Sequence, residues 1–210
     1  MRLGIVMTLL VGLMFVGACN DPAADQPKAT TGAATQASPQ HNVAGTKYVI
    51  TPQTSKIEFI GSKVTGSHNG AFERFAGVID YAGAPERSKV TVTMETDSLT
   101  TDDANLTKHL KTADFFDVPK FPQATFSSTE IKPGGANGAS HTITGNLTLH
   151  GVTKSVTFPA TINVTPDVAS VDANFSINRK DFGINYAGAQ DNLIRDNVVL
   201  KLTIRAAKGS

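Results

Sequence analysis

The chain of 210 residues contains no tryptophan and only one cysteine, Cys19. A single cysteine excludes an intramolecular disulfide, so Cys19 requires another explanation. The 19 Lys and Arg residues are balanced by 18 Asp and Glu residues, and no basic cluster is present. A nearly neutral chain lacks the positive field that binds nucleic acid. It also lacks the polybasic patch that holds a protein on anionic lipid by charge alone. We therefore expect no nucleic-acid partner.

The N-terminus predicts a bacterial lipoprotein signal peptide over residues 1–18. Arg2 supplies a positive charge, and the apolar run from Leu3 to Val16 is too short for a comfortable membrane span. Small residues then precede Cys19, which is the pattern of a lipid-acceptor cysteine. An ordinary secretory peptide with a chance cysteine is the alternative. With acyl chains on Cys19, the protein would be anchored to the inner or the outer membrane on its periplasmic side.

The next segment, residues 19–45, is rich in Ala, Thr, Gln, Pro, Ser and Gly and has almost no large apolar side chain. Such a segment buries too little surface to offset the loss of chain entropy on folding, so we predict a flexible tether. The remaining residues, 46–208, are enough for one domain with a substantial core.

Alternation with a period of two dominates this domain and predicts β-strands. Five clear runs place apolar residues on one face and Thr, Asn or charged residues on the other: residues 90–95, 142–149, 156–164, 171–178 and 198–205. Turn signals separate the runs. Several closely spaced strands of this kind predict an all-β fold, either a closed antiparallel barrel or a sandwich.

One helix is predicted over residues 102–113, where Asp102 or Asp103 can cap the first turn. Pro119 and Pro122 prevent its continuation. The phenylalanines between Phe115 and Phe126 are positioned to close one end of a barrel. An eight-stranded barrel is either filled by its own side chains or holds one small ligand. The absence of tryptophan and the moderate bulk of the inward residues favour the hollow form, with a packed core as the alternative.

Two phrases are the most distinctive of the chain: HLKTADFFDVPKFPQATFSS over residues 109–128 and GNLTLHGVTKSVTF over residues 145–158. Further phrases in the same order occupy residues 48–59, 72–77, 88–102 and 178–183. Together they resemble the YceI-like polyisoprenoid-binding family. The resemblance implies a lipocalin-like, antiparallel, eight-stranded β-barrel with one short helix and a connecting segment that caps one end.

The resemblance also implies a function. Members of the family bind lipid in a barrel cavity, so the resemblance implies a non-enzymatic protein that sequesters or transports a polyisoprenoid or other amphiphilic lipid in the cell envelope. No cofactor or metal is expected. The partners would be the lipid and, through acylated Cys19, the membrane, with a homodimer as one option for the oligomeric state.

Candidate lining residues follow from inward parity and from position in the family pattern. They are Ile57, Phe59, Phe72, Phe75, Phe116, Phe121, Phe126, Leu147, Phe158, Phe175, Ile177, Phe182 and Leu200. Many family members carry a histidine soon after the opening strand and an arginine before the helix histidine. Here residues 60–68 read IGSKVTGSH, and Lys108 stands where those members have the arginine. These departures lie where a lipid head group would be contacted.

Catalytic and metal-binding patterns are weak in this sequence. The four histidines of the domain, His68, His109, His141 and His150, have no close partner at ligand spacing. Asp114 and Asp117 are more typical of turns and helix ends than of an acid–base pair. Two other functions remain open: an envelope protein-interaction module with a packed barrel, and an enzyme that acts on a bound lipid through His109 with Asp114.

Overall fold

The computed structural model describes residues 21–35, 45–190 and 192–209. The predicted signal peptide and Cys19 lie outside these residues. The strands are β1 Thr30–Ala33, β2 Thr46–Ile50, β3 Lys56–Lys63, β4 Gly66–Phe72, β5 Phe75–Tyr81, β6 Lys89–Glu95, β7 Leu99–Thr101, β8 Gln123–Pro133, β9 His141–Leu149, β10 Val152–Val164, β11 Val168–Asn178, β12 Gly188–Ala189, β13 Asn192–Leu193 and β14 Asn197–Lys208. The α-helix is α1 Ala104–Leu110, and 3₁₀ turns occupy Pro85–Arg87, Thr96–Ser98, Ala136–Gly138 and Arg179–Phe182.

Eight strands close into an antiparallel ring in the order β10-β9-β8-β6-β5-β2-β14-β11, and β11 pairs with β10 to complete it. The strand β14 is shared, because its last residues pair with β2 and residues 199–203 pair with β3. From β3 the sheet continues to β4 and β7. Closure leaves no long free edge in the ring, which limits aggregation through strand pairing. The predicted all-β, eight-stranded antiparallel barrel is confirmed.

The helix α1 is shorter than the predicted interval of residues 102–113. Asp103 is the N-cap, since its carboxylate accepts hydrogen bonds from the backbone N–H groups of Asn105 and Leu106. Beyond the other end, Phe116 N–H donates to the carbonyl of Leu110, so the chain folds back onto the last residue of the helix. Leu110 is buried against the barrel. The helix and the segment 111–122 cover part of one barrel end, as the sequence predicted.

The N-terminal arm, residues 21–35, corrects the tether prediction for that part of residues 19–45; residues 19–20 and 36–44 lie outside the described ranges. Its strand β1 pairs with β10 from Thr30↔Thr157 to Ala33↔Lys154. The arm also bonds to β11: Ala29 N–H donates to the carbonyl of Ser176 at 2.8 Å, and Ser176 N–H donates to the carbonyl of Pro27 at 2.9 Å. The prediction failed because small and polar residues can join a sheet through backbone hydrogen bonds alone, without an apolar face of their own.

The arm occupies a seam in the barrel wall. The strands β10 and β11 pair only through residues 161–164 and 169–172, and beyond this point they diverge. Residues 27–33 lie in the gap, bonded to β10 on one side and to β11 on the other. Ala29 is buried there. The arm therefore completes the wall where two neighbouring strands separate.

In the described ranges, no helix combines the length and apolar character needed to cross a bilayer.

Candidate binding cavity

A cavity of about 420 Å³ lies inside the barrel. This volume falls in the range of small-molecule sites, about 300 to 1,000 Å³. The barrel is therefore hollow, and the alternative of an interior packed solid with side chains is wrong. One end of the cavity is closed. It is lined by four buried aliphatic side chains, those of Ile50, Ile79, Ile143 and Ile204.

The opposite end of the cavity carries its polar and exposed lining. We call it the open end and define it by the β3–β4 turn, the segment 111–122 and the segment 179–196. Its lining includes Ser62, Lys63, His68, His109 and Asn192. One end of the cavity thus offers only hydrocarbon contacts, and the other offers hydrogen bonds and charge.

Strand alternation turns one side chain in two toward the cavity. Ten of the thirteen residues predicted from parity and family position line it: Ile57, Phe59, Phe72, Phe116, Phe126, Leu147, Phe158, Phe175, Ile177 and Leu200. Their contact with a ligand stays a prediction.

Three predicted residues are buried or packed elsewhere and do not border the cavity. Phe75 has the parity of inward residues, but it is the first residue of β5. Its cross-strand partner Met94 lines the cavity, whereas Phe75 does not. A side chain at a strand end can join the core without reaching the central void. Phe121 packs outside the barrel, with its ring centroid 4.9 Å from that of His150.

Phe182 is the third correction. It lies in the 3₁₀ turn Arg179–Phe182 and is fully buried. Its carbonyl is 3.3 Å from His150 Nδ1, which donates to it. The alternation of β11 ends at Asn178, so strand parity no longer fixes the direction of Phe182.

Aromatic rings form a row along one wall of the cavity. The Phe158 and Phe175 rings are stacked with centroids 4.1 Å apart and an interplanar angle of 10°. Phe126 follows, with its centroid 5.8 Å from that of Phe158. Phe126 is on β8 and Phe158 on β10, so the contact passes over β9. Gly145 on β9 has no side chain to prevent it. The row offers an apolar aromatic surface to an extended chain.

Two histidines at the open end are each paired with an aspartate. His68 Nδ1 lies 2.8 Å from Asp102 Oδ1, and His109 Nε2 lies 2.8 Å from Asp114 Oδ2. The Asn69 N–H donates to the other oxygen of Asp102 at 2.9 Å, and this hydrogen bond lowers the pKa of Asp102. These contacts hold the imidazoles in fixed orientations beside the cavity.

Ser62 is a further polar group of the open end. Its side chain is 6% exposed, and its hydroxyl has no hydrogen-bond partner within the described residues. A buried hydroxyl without a partner is costly. Because Ser62 lines the cavity, a polar atom of a ligand would satisfy it.

Arg179 organises the loop that borders the open end. It is 5% exposed and donates to the carbonyl oxygens of Ile184 at 2.8 Å, Arg195 at 3.1 Å and Ile194 at 3.4 Å. Burial lowers the pKa of Arg179, and the carboxylate of Asp196 opposes that shift. The guanidinium thus connects both ends of the segment 184–195.

Tyr186 joins this loop to the helix. Its ring centroid lies 5.1 Å from that of His109 and 5.2 Å from that of Phe115, and the His109 and Phe115 centroids are 5.1 Å apart. The two contacts of His109 are edge-to-face and that of Phe115 with Tyr186 is tilted; such aromatic pairs stabilise a cluster beyond its buried area.

The sequence prediction missed most lining residues of the open end. Arg179 could have been found from the sequence, because it lies in the phrase of residues 178–183 that resembles the family, which is charged and ends in a glycine. Tyr186 and Ile194 lie in a segment with no alternation, so parity could not assign them. Ser62 differs in parity from Phe59 and reaches the cavity because β3 ends at Lys63.

The histidines do not converge. His68 and His109 border the cavity, whereas His141 contacts Ser140 and His150 contacts Phe121. Within the described ranges, no three His, Cys, Asp or Glu side chains are close enough together to hold a metal ion.

Comparison with known proteins identifies relatives of this chain. The sequence model of the YceI-like domain matches residues 48–206. The UPF0312 protein of Pseudomonas putida strain W619 is 43% identical over 128 residues, which cover 58% of this chain and 66% of that protein. A UPF0312 protein of Enterobacter sp. strain 638 is 44% identical over 122 residues, covering 55% and 62%. The aligned region thus spans slightly less than two thirds of each relative.

Solved structures share the fold. BcnA of Burkholderia cenocepacia superposes with a TM-score of 0.66 at 25% identity, covering 75% of this chain and 99% of BcnA. A polyisoprenoid binding domain of Saccharophagus degradans superposes with a TM-score of 0.61 at 15% identity, covering 80% of this chain and all of that domain.

Proposed function

This chain belongs to the YceI-like family, and on that premise we propose that it binds a polyisoprenoid or similar amphiphilic lipid without catalysing a reaction on it. The observation that carries the proposal is the cavity of about 420 Å³, apolar in depth and polar only at its open end. The Saccharophagus degradans domain with the same fold is a polyisoprenoid-binding domain, which supports this ligand class.

The cavity suits a molecule with a long apolar tail and a small polar head. Each methylene removed from water contributes about 0.8 kcal/mol, so a tail among Phe126, Phe158 and Phe175 gains affinity without any specific polar contact. The hydroxyl of Ser62 and the imidazoles of His68 and His109 would contact the head group. An amphiphile therefore enters tail first.

The cellular role belongs to the same proposal. A protein held at a membrane through acylated Cys19 would sequester the lipid in the periplasm or carry it between envelope sites. The lipoprotein-like N-terminus supports this location, since Cys19 follows small residues and a short apolar run. Acyl chains would supply stable anchoring.

Native mass spectrometry of the full chain tests the proposal. Protein extracted from its source membrane in mild detergent should carry a lipid adduct. After delipidation it should bind added undecaprenol much more tightly than geraniol, because the longer chain fills more of the cavity. Equal binding of the two probes, or none of either, would contradict it.

The same experiment tests the enzymatic alternative that the His109–Asp114 pair keeps open. Undecaprenol released after incubation should have an unchanged mass. Release of a modified lipid, abolished in the His109→Gln variant, would establish catalysis instead.

A further inference from the structure

The open end of the barrel exposes apolar side chains. Four large apolar residues are exposed in the described part of the chain, and three of them lie at this end: Val64 at 50%, Leu193 at 49% and Tyr186 at 38%. The fourth, Val49 at 41%, pairs with Ala207 near the closed end. Exposed apolar residues are common singly, but a cluster at the mouth of a cavity indicates an interaction surface.

We call these three exposed residues of the open end the rim. Val64 N–H donates to the carbonyl of Leu193 at 3.1 Å, so the β3–β4 turn and the β12–β13 hairpin lie side by side. Tyr186 belongs to the segment before that hairpin and lines the cavity. The rim therefore borders the open end of the cavity through Tyr186.

The N-terminal arm brings the start of the described chain to the same end. Asp21 Oδ2 lies 3.3 Å from Arg195 Nη1, and Arg195 N–H donates to the carbonyl of Ser62 at 2.9 Å. The Thr31 hydroxyl donates to Asp181 at 2.6 Å and fixes the arm further along. Cys19 is only two residues before Asp21, and two residues span no more than about 7 Å.

We propose that the rim docks onto a lipid bilayer and that the arm holds it in that orientation. This inference rests on the proposed function, since docking would place the open end of the cavity against the membrane that supplies the ligand. The bilayer is favoured as the partner because Asp21, where the described chain begins, lies beside Arg195 at the open end, and the lipoprotein-like segment that would carry the acyl chains directly precedes it in the sequence. Tyrosine and aliphatic side chains are suited to the membrane interface.

The charged residues near the rim have both signs. Lys63 and Lys108 are on the β3 end and α1, and Asp102 and Asp114 pair with the two histidines. The rim therefore has no single-sign field, and docking should occur on zwitterionic vesicles.

The absence of tryptophan from the chain permits a direct test. The full-length Leu193→Trp and Val49→Trp variants are reconstituted into phosphatidylcholine vesicles that contain bromine-labelled acyl chains, which quench tryptophan fluorescence at short range. We expect strong quenching and a blue shift for Leu193→Trp and unchanged emission for Val49→Trp. Equal quenching of the two variants, or quenching of neither, would overturn the docking proposal.

A second experiment separates docking from ligand binding. The Val64→Ser/Leu193→Ser double variant should take up undecaprenol from vesicles at least tenfold more slowly than the wild type, and from detergent micelles at the same rate. Val49→Ser should change neither rate. Equal slowing from both sources would overturn docking. Failure of the wild type to bind from micelles, together with quenching of Leu193→Trp, would instead refute the proposed function and retain the docking surface.

Discussion

The ring of Phe126 lies across Gly145 on the neighbouring strand. A Cβ built on Gly145 would come within 2.3 Å of Phe126 Cζ and within 2.7 Å of the Ser127 carbonyl oxygen. The missing side chain is what allows Phe126 to reach Phe158 across β9. One glycine on the middle strand therefore shapes the aromatic wall of the cavity.

Substitution of Gly145 by Ala should destabilise the protein. Extra volume in a packed interior typically costs about 1 to 3 kcal/mol, and the displaced Phe126 ring would move into the cavity. We expect a lower midpoint in urea unfolding and weaker undecaprenol binding. Gly61→Ala is the matched control, because Gly61 also lines the cavity and a Cβ there meets no atom within 4 Å. Equal effects of the two substitutions would contradict this account.

A carboxylate inside the cavity should abolish lipid binding. Leu147 lines the cavity, whereas the adjacent Thr148 faces outward, where its hydroxyl contacts Thr153 at 2.9 Å. We expect Leu147→Asp to reduce affinity for undecaprenol at least 100-fold, which corresponds to about 2.7 kcal/mol, because burial of a charge is costly. Thr148→Asp should bind as the wild type does. Circular dichroism would verify that both variants are folded.

Arg179 should control the order of the open end. Its guanidinium donates to three carbonyl oxygens at the two ends of the segment 184–195. Loss of the donors leaves the buried Ile184 carbonyl unpaired, at about 1 to 3 kcal/mol, and removes two part-buried hydrogen bonds to Ile194 and Arg195. Arg179→Lys should therefore lose this order even though the positive charge is kept, because an ammonium group lacks the planar fork of donors. Hydrogen exchange should show faster exchange in this segment and unchanged exchange in β8 and β9.

The control for that experiment is the next residue along the chain. Lys180 is exposed and pairs with Asp196 at 3.0 Å on the surface. Such pairs contribute about 0 to 1 kcal/mol, so Lys180→Met should leave exchange in the segment unchanged. Acceleration of exchange by Lys180→Met equal to that of Arg179→Lys would show that surface charge, rather than the buried fork, orders the loop.

Asp102 should contribute to acid sensitivity. The Asn69 N–H holds the pKa of this carboxyl below its usual value of 3.8, and His68 adds to the effect. Because the folded pKa lies below the unfolded one, the stabilisation is complete above about pH 3.8 and is lost as the pH falls through the folded pKa. The free energy of unfolding, measured from pH 6 to pH 2, should therefore fall less steeply for Asp102→Asn than for the wild type. Parallel curves would contradict the assignment.

The sequence predicts the direction of a side chain where apolar and polar residues alternate along a regular strand. Leu147 and Phe175 lie in the middle of regular strands, so parity alone turns them toward the centre. The irregular segments 111–122 and 179–196 follow no period. There the direction of Phe121, Phe182 and Tyr186 depends on turns and on contacts such as the Phe121–His150 pair, which no local pattern encodes.

The arm shows a different limit of sequence reasoning. Thr30 to Ala33 have neither apolar periodicity nor bulk, and their composition is typical of a linker. They are ordered because β10 and β11 diverge and leave backbone groups that need partners. The need for a strand therefore arises from distant parts of the chain rather than from the arm.

A charge in the seam should release the arm. Ala29 is buried between β10 and β11, whereas Ala33, four residues later on the same arm, is exposed. Ala29→Asp would bury a carboxylate beside the Ser176 backbone, which is costly, so we expect residues 21–35 to become sensitive to protease. Ala33→Asp should remain resistant. If Ala29→Asp also remained resistant, the hydrogen bonds to Ser176 and β10 would be strong enough to hold a buried charge. If release of the arm also reduced lipid uptake from vesicles and left uptake from micelles unchanged, it would link the seam to the orientation of the open end.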